Sequence, residues 1–297
     1  MRNRKIYSVA WGWTPTPEDM PIGDSLLRTA DSVKMLGFDG IDFLSTYESL
    51  DEYYDEERCG ELHDHCAASS LSIGGIVFQS DLWNIPDPEV QEKQLEYFSK
   101  CAVAASRLGA KAISCILPGP YGARPTRGNA SPSEKKATNL PPDYIWQKDW
   151  DLLVSMLRKA CDVAEEYHLP IALECFPGSL CSTPHAMLAI CDQIERKNFG
   201  IQLDTAHLIN QRIDVETAIY MLGGQRIVNV HFKDSDGLTR GNLPAGCGIA
   251  DYTAILGALD NVGYRGSVSI EVEFTDNPKR YMKQALDHIR LCMQEKY

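Results

Sequence analysis

The chain has no apolar run near the roughly eighteen residues needed to span a bilayer, which excludes a transmembrane helix. It has no surplus of basic residues: 29 Lys and Arg stand against 41 Asp and Glu, a formal charge of −12. So negative a surface repels phosphate backbones and anionic headgroups, so neither nucleic acid nor a membrane is expected as a partner. No two of the ten cysteines have CxxC spacing. Several, such as Cys101 and Cys115, sit in apolar stretches and read as reduced, buried thiols of a cytoplasmic protein. The basic start MRNRKIYSVAWGW has too short an apolar part for a signal peptide. No GxGxxG follows the first apolar run, and no glycine-rich loop opens a helix in the phosphate-binding pattern. A phosphorylated substrate therefore has no support.

What the sequence does have is alternation. Short β-branched or aromatic runs are each followed by an amphipathic stretch of helical period. Strands are predicted at 6–11, 40–43, 72–78, 112–117, 170–174, 200–204, 227–231 and 267–271. Helices are predicted at 24–36, 55–69, 88–108, 150–167, 184–196, 215–222, 252–262 and 278–295. Helices run out at glycine, as in LGFDGIDF, LGAKAISC and VGYRGSVSIE, where Gly37, Gly109 and Gly263 serve as left-handed caps. The strands lack clean polar/apolar alternation, as expected when both faces are covered. Eight such units predict an α/β protein built as one (β/α)8 TIM barrel domain over residues 1–297.

Residues 118–147, PGPYGARPTRGNASPSEKKATNLPPDYIWQ, break the repeat. The segment is long, polar and rich in Pro and Gly. Following the fourth strand, it is expected on the active-site face as a lid, an oligomer contact or a tolerated surface insertion.

The last four strands end on groups that can bind a metal. The fifth ends on Glu174 and the sixth on Asp204, with His207 three residues on. The seventh ends on His231, with Lys233 and Asp234 beyond, and the eighth ends on Glu271, with Glu273 on the same face. If the barrel closes, Glu174, Asp204, His231 and Glu271 point into one mouth. Clustered carboxylates repel unless a cation or proton offsets them. This hard, mostly oxygen set suits one divalent cation, Mn²⁺ above all, with Mg²⁺, Co²⁺ or Zn²⁺ as alternatives. Trp13, just after the first strand, is placed to stack on a sugar face. The remaining histidines, His63, His65, His168, His185 and His288, lie on helices or at the opposite end, and only His185 is near enough to be considered.

Through LGFDGIDF, RLGAKAIS, IALECFP, GIQLDTAHL, VNVHFKDSDG, PAGCGIADY and GYRGSVSIEVE, the chain resembles the sugar-phosphate isomerase/epimerase superfamily, the xylose isomerase-like TIM barrels. The resemblance runs nearly end to end. It implies that Glu174, Asp204, His231 and Glu271 hold a single divalent metal, and that Glu174 and Glu271 are also the paired acid/base carboxylates. It further implies that His207 contacts substrate or a second metal, that Lys233 contacts substrate, and that the chain forms a homodimer or homotetramer. Two departures separate it from the ketose 3-epimerases. Gly237 stands where they carry arginine, and CFPGSL at 175–180 replaces an acidic stretch. The related apurinic-site endonucleases need extra histidines, which are absent at Leu117 and across 246–248.

The expected activity is isomerisation or epimerisation of a sugar or keto-sugar by proton transfer next to a carbonyl. The same apparatus runs a lyase or dehydratase if a leaving group lies β to the carbanion. A metal-containing accessory subunit without turnover is the third reading.

Overall fold

The computed structural model describes residues 4–13, 24–80, 82–117, 119–125, 138–238, 241–273 and 275–295. The β-branched runs form eight parallel strands: β1 (Ile6–Val9), β2 (Gly40–Ser45), β3 (Ser72–Phe78), β4 (Ala112–Ile116), β5 (Ile171–Glu174), β6 (Phe199–Asp204), β7 (Ile227–Phe232) and β8 (Val268–Ile270). They pair in chain order, and β8 pairs back onto β1 to close the barrel. The (β/α)8 TIM barrel expected from the alternation is the fold observed.

Helix entry follows local chemistry. Pro88, Pro184 and Pro278 occupy first turns, preceded by the side-chain caps Asp87, Thr183 and Asn277. Gly37, Gly109 and Gly263 have φ of 96°, 66° and 82°, the left-handed geometry predicted for them.

Local differences from the predicted elements have physical causes. β1 stops at Val9 and the chain turns into a 3-10 helix, Ala10–Trp13. There Gly12 lies against the Val272 carbonyl, where a Cβ would overlap it. Two helices escaped the reading, Tyr47–Tyr53 and Thr205–Asn210, because seven and six residues hold too few turns to show a period. Each is started by a side-chain cap, Thr46 and Asp204. The helix predicted from Trp150 begins at Trp146. In the insertion, Arg124–Pro125 and Thr138–Asn139 pair as an antiparallel ribbon. Asp149 ties its base down, accepting from the Tyr121 amide at 2.7 Å and the Tyr144 hydroxyl at 2.9 Å. Pro118 and residues 126–137, on which the lid and oligomer-contact expectations largely fall, lie outside the described residues.

The interior divides into two shells. Between strands and helices lies an apolar annulus, in which Phe78, Trp83 and Phe98 meet edge to face. The inside of the barrel is polar. Ser114 on β4 bonds Gln202 on β6, and Gln202 Oε1 accepts from Asn229 Nδ2 at 3.1 Å. At the barrel's floor Tyr7 fills the space left by Gly40 and Gly74, and its hydroxyl accepts from Lys111 Nζ at 2.6 Å.

Candidate metal centre

Barrel closure brings the four strand ends together. Glu174 ends β5, Asp204 ends β6, His231 lies one residue before the end of β7, and Glu271 directly follows β8. His231 sits in register between Asp204 and Ser269. One ligand atom from each of Glu174, Asp204, His231 and Glu271 lies within 4.8 Å of all the others, and all four residues are buried. His231 Nδ1 is 3.0 Å from Glu271 Oε2.

Three carboxylates at this spacing need positive charge, and the chain supplies some. Lys233 is only 1% exposed, and its Nζ donates to Glu271 Oε1 at 3.0 Å and Glu273 Oε1 at 2.7 Å. It also lies 3.4 Å from Asp204 Oδ2. His207 Nε2 is 3.5 Å from Glu174 Oε1 and 3.9 Å from Asp204 Oδ2. Lys233 is thus placed among the carboxylates, whereas His207 keeps partial exposure at the rim, beside Phe176. Trp13 donates its indole N–H to Ser8 Oγ at 2.8 Å. Its ring borders a cavity of about 360 Å³ shared with Arg28, Thr29 and Lys279 and lined by none of the four clustered residues.

The protonation pattern follows from these contacts. Burial alone would lower the His231 pKa, but the Glu271, Glu174 and Asp42 carboxylates outweigh it and raise it to about 9. Burial would raise the Glu271 pKa, yet Lys233 and His231 hold it well below the usual carboxylate range. Glu174 is likewise lowered, burial being outweighed by His207. Burial pushes Glu273 up to about 7, with Lys233 pulling against it and Glu271 adding to it.

Asp204 has two tasks. Its Oδ1 accepts from the His207 amide at 2.9 Å, capping the short helix that follows, as a carboxylate at a strand end commonly does. Its Oδ2 is buried with no hydrogen-bond partner. This oxygen, which accepts no hydrogen bond although Lys233 Nζ lies 3.4 Å away, and a donor set of three carboxylates and one imidazole fit a divalent cation.

The other histidines are elsewhere. His63 contacts the Leu108 carbonyl, His65 pairs with Asp31, His185 is exposed, and His288 packs on Tyr252. Sequence reasoning missed the polar layer under the cluster: Asp42, Ser114, Gln202, Asn229 and Ser269, all buried. A signal was present. Gln202, Asn229 and Ser269 each stand two residues before a clustered residue, and strand residues two apart share a face. Gly237, where the ketose 3-epimerases carry arginine, has φ 71°, a conformation that costs a side chain about 1 kcal/mol.

Residues 30–292 match the family model described as xylose isomerase-like TIM barrel, and the chain belongs to that family. It is 25% identical over 274 residues to an L-ribulose 3-epimerase of Mesorhizobium japonicum, a match covering 90% of this chain and 80% of that protein. It is also 25% identical over 166 residues to an inosose dehydratase of Geobacillus thermodenitrificans, covering 48% of this chain and 55% of the relative. Several other relatives match over only about half of their own length. Among solved structures, D-psicose 3-epimerase from Clostridium cellulolyticum H10 superposes with a TM-score of 0.76 at 18% identity, covering 98% of this chain and all of that one. The named relatives are sugar 3-epimerases and an inosose dehydratase.

Proposed function

We propose that the protein is a divalent-metal-dependent isomerase or epimerase of a sugar or keto-sugar, working by proton transfer next to a carbonyl. The observation that carries this reading is the buried cluster of Glu174, Asp204, His231 and Glu271. These four residues would hold the cation, with Mn²⁺ the first choice for their oxygen-rich set. When bound, a divalent cation supplies Lewis-acid polarisation of the substrate carbonyl.

The chain's own residues do the rest. Glu174 on β5 and Glu271 after β8 approach the mouth from separate arcs of the barrel. Both are held in the charged form, so either can accept the α-proton. One carboxylate takes the proton from one face of the carbon, and the other returns a proton to the opposite face or to the neighbouring carbon. Lys233 fixes Glu271 and limits its repulsion from Asp204. His207, partly exposed beside Glu174, is positioned to contact a substrate hydroxyl. The match to an inosose dehydratase supports a second reading, in which the same carbanion expels a β-leaving group.

Exposed Tyr121 and Trp146 flank the insertion and support assembly as a homodimer or homotetramer. Light scattering at micromolar concentration tests this, and a monomer would refute it.

Elemental mass spectrometry of the purified protein, beside His231→Ala, tests the metal. About one divalent ion per chain, lost in the variant, is expected. Ketoses and keto-glycosides incubated with Mn²⁺-loaded protein in D₂O then test the chemistry. Deuterium next to the carbonyl supports the isomerase reading and loss of water supports the dehydratase. Neither, across the panel, would sink both.

A further inference from the structure

Glu273 is the carboxyl at the mouth to which the chemistry above gives no task. It lies two residues beyond Glu271, and its side chain keeps 16% exposure where that of Glu271 keeps 9%. Its Oε1 accepts from Lys233 Nζ at 2.7 Å, and its Oε2 accepts from Asn242 Nδ2. Lys233 also reaches Asp204 and Glu271, so its ammonium stands between the four-residue cluster and Glu273. Glu273 thus forms the next layer of the mouth, toward solvent. A carboxylate added beside three others increases their repulsion. Lys233 already has Asp204 and Glu271 as partners, so charge balance does not require Glu273.

Asn242 is held in place by the loop after β7, which Asp234 pins from inside. Asp234 is fully buried. Its Oδ2 accepts from the Gly246 and Gly248 amides at 3.0 and 2.9 Å, and its Oδ1 accepts from the Ala250 amide at 3.1 Å. Leu243, next to Asn242, exchanges two backbone hydrogen bonds with Asp234, at 2.7 and 2.8 Å. A Cβ at Gly248 would overlap Asp234 Oδ1, so glycine there lets the loop close on the carboxylate. Asn242 therefore meets Glu273 preorganised. Its Nδ2 serves Glu273, and its Oδ1 accepts no hydrogen bond among the described residues. Each Glu273 oxygen, with one donor apiece, keeps a lone pair. Such acceptors suit hydroxyl donors. A phosphate, itself rich in acceptors, would find only Lys233 beside the pair, and that ammonium is already shared among Asp204, Glu271 and Glu273.

We propose that Glu273 and Asn242 are the specificity-determining pair of the site: they accept hydrogen bonds from hydroxyls of an uncharged sugar, on carbons beyond those between which the proton moves, and they disfavour a phosphorylated one. The layer they form above the cluster sets that position. A site built to bond a hydroxyl loses much of its affinity when the acceptor is removed, because the hydroxyl is then desolvated without a partner. The inference rests on the carbohydrate reading above.

Binding of D-psicose, D-tagatose, L-ribulose and methyl 3-keto-D-glucoside to wild type, Glu273→Met, Glu273→Gln and Asn242→Ala is measured by calorimetry with Mn²⁺ present. L-ribulose 5-phosphate is the charged probe, and circular dichroism and Mn²⁺ affinity are the controls. Affinity for the tightest-bound sugar should fall about 10–100-fold in Glu273→Met and about 3–10-fold in Asn242→Ala. Glu273→Gln, which keeps one acceptor oxygen, should recover part of the loss, and Mn²⁺ affinity should hold throughout. Sugar affinity within twofold of wild type in Glu273→Met overturns the proposal and leaves the carbohydrate reading standing. Mn²⁺ affinity falling in parallel with sugar affinity also overturns it, because Glu273 would then act through Lys233 on the cluster. L-ribulose 5-phosphate bound by wild type as tightly as the best uncharged sugar overturns the selectivity. No binding of any of these sugars by wild type overturns both the proposal and the reading beneath it. If Glu273→Met does not fold, Asn242→Ala decides, and affinity within twofold of wild type there overturns the assignment.

Discussion

Glu174 and Glu271 carry the most exposed claim at the scale of single residues, because each is assigned two tasks. Glu174→Gln and Glu271→Gln keep size and hydrogen-bonding capacity but remove the base. Each is expected to lower turnover by about 10²–10⁴-fold, with the circular dichroism spectrum unchanged; substantial residual turnover in either would refute its acid/base role. His231 makes a pH prediction. Its folded pKa, about 9, lies above its ordinary 6.5, so the stability it contributes is complete below 6.5 and lost as pH rises through 9. Melting of the metal-free protein between pH 6 and 10 should therefore show a loss on the order of 2–3 kcal/mol. His231→Gln should flatten that loss, and an equal slope in the variant would assign it to other groups. The clustered carboxylates were legible in the sequence because each ends an apolar run. Asp42 was not, because a lone acid within a β-branched run gives no sign of what lies opposite it.

The strands act as elements through side-chain parity. On β6, β7 and β8 the clustered residue and the one two positions earlier share the inward face, so Gln202, Asn229 and Ser269 form a polar layer beneath the Glu174, Asp204, His231 and Glu271 cluster. β2 and β3 add Asp42 and the space beside it. Gly74→Ala places a methyl against both Asp42 and the Tyr7 ring. The expected cost is about 1–3 kcal/mol, read as a lower urea midpoint with unchanged slope. A neutral result would show that the floor of the barrel relaxes freely. Strands and long helices were readable from periodicity, whereas Tyr47–Tyr53 and Thr205–Asn210 were not. The second of these helices exists because Asp204, already held at the strand end, caps it.

For the whole molecule, closure of the barrel is what gathers like charge, and the folded state carries that cost. A cation that binds only the folded chain repays it by mass action. Mn²⁺ at a hundred times its dissociation constant should stabilise the protein by about 2.7 kcal/mol. The check is the melting temperature with and without Mn²⁺, and with EDTA. The shift should vanish in His231→Ala; a shift that survives in the variant would place the stabilising ion elsewhere. The charge of −12 adds a diffuse attraction for cations, which salt screens and the buried cluster does not share.

The sequence by itself determined the alternation of strands and helices, the glycine stops, the proline starts and the presence of metal-binding groups at four strand ends. These are local properties, set by side-chain size, backbone freedom and a period of two or 3.6 residues. Only the tertiary structure decided that Lys233 turns inward among the carboxylates, and that Trp13 borders a cavity apart from the cluster. It alone set Asp42 Oδ2 3.9 Å from His231 Nε2. Those outcomes depend on barrel closure, which brings β2 across from β7 although some 190 residues separate Asp42 from His231. Distances across a closed sheet come from strand number and register, and no window of sequence contains them.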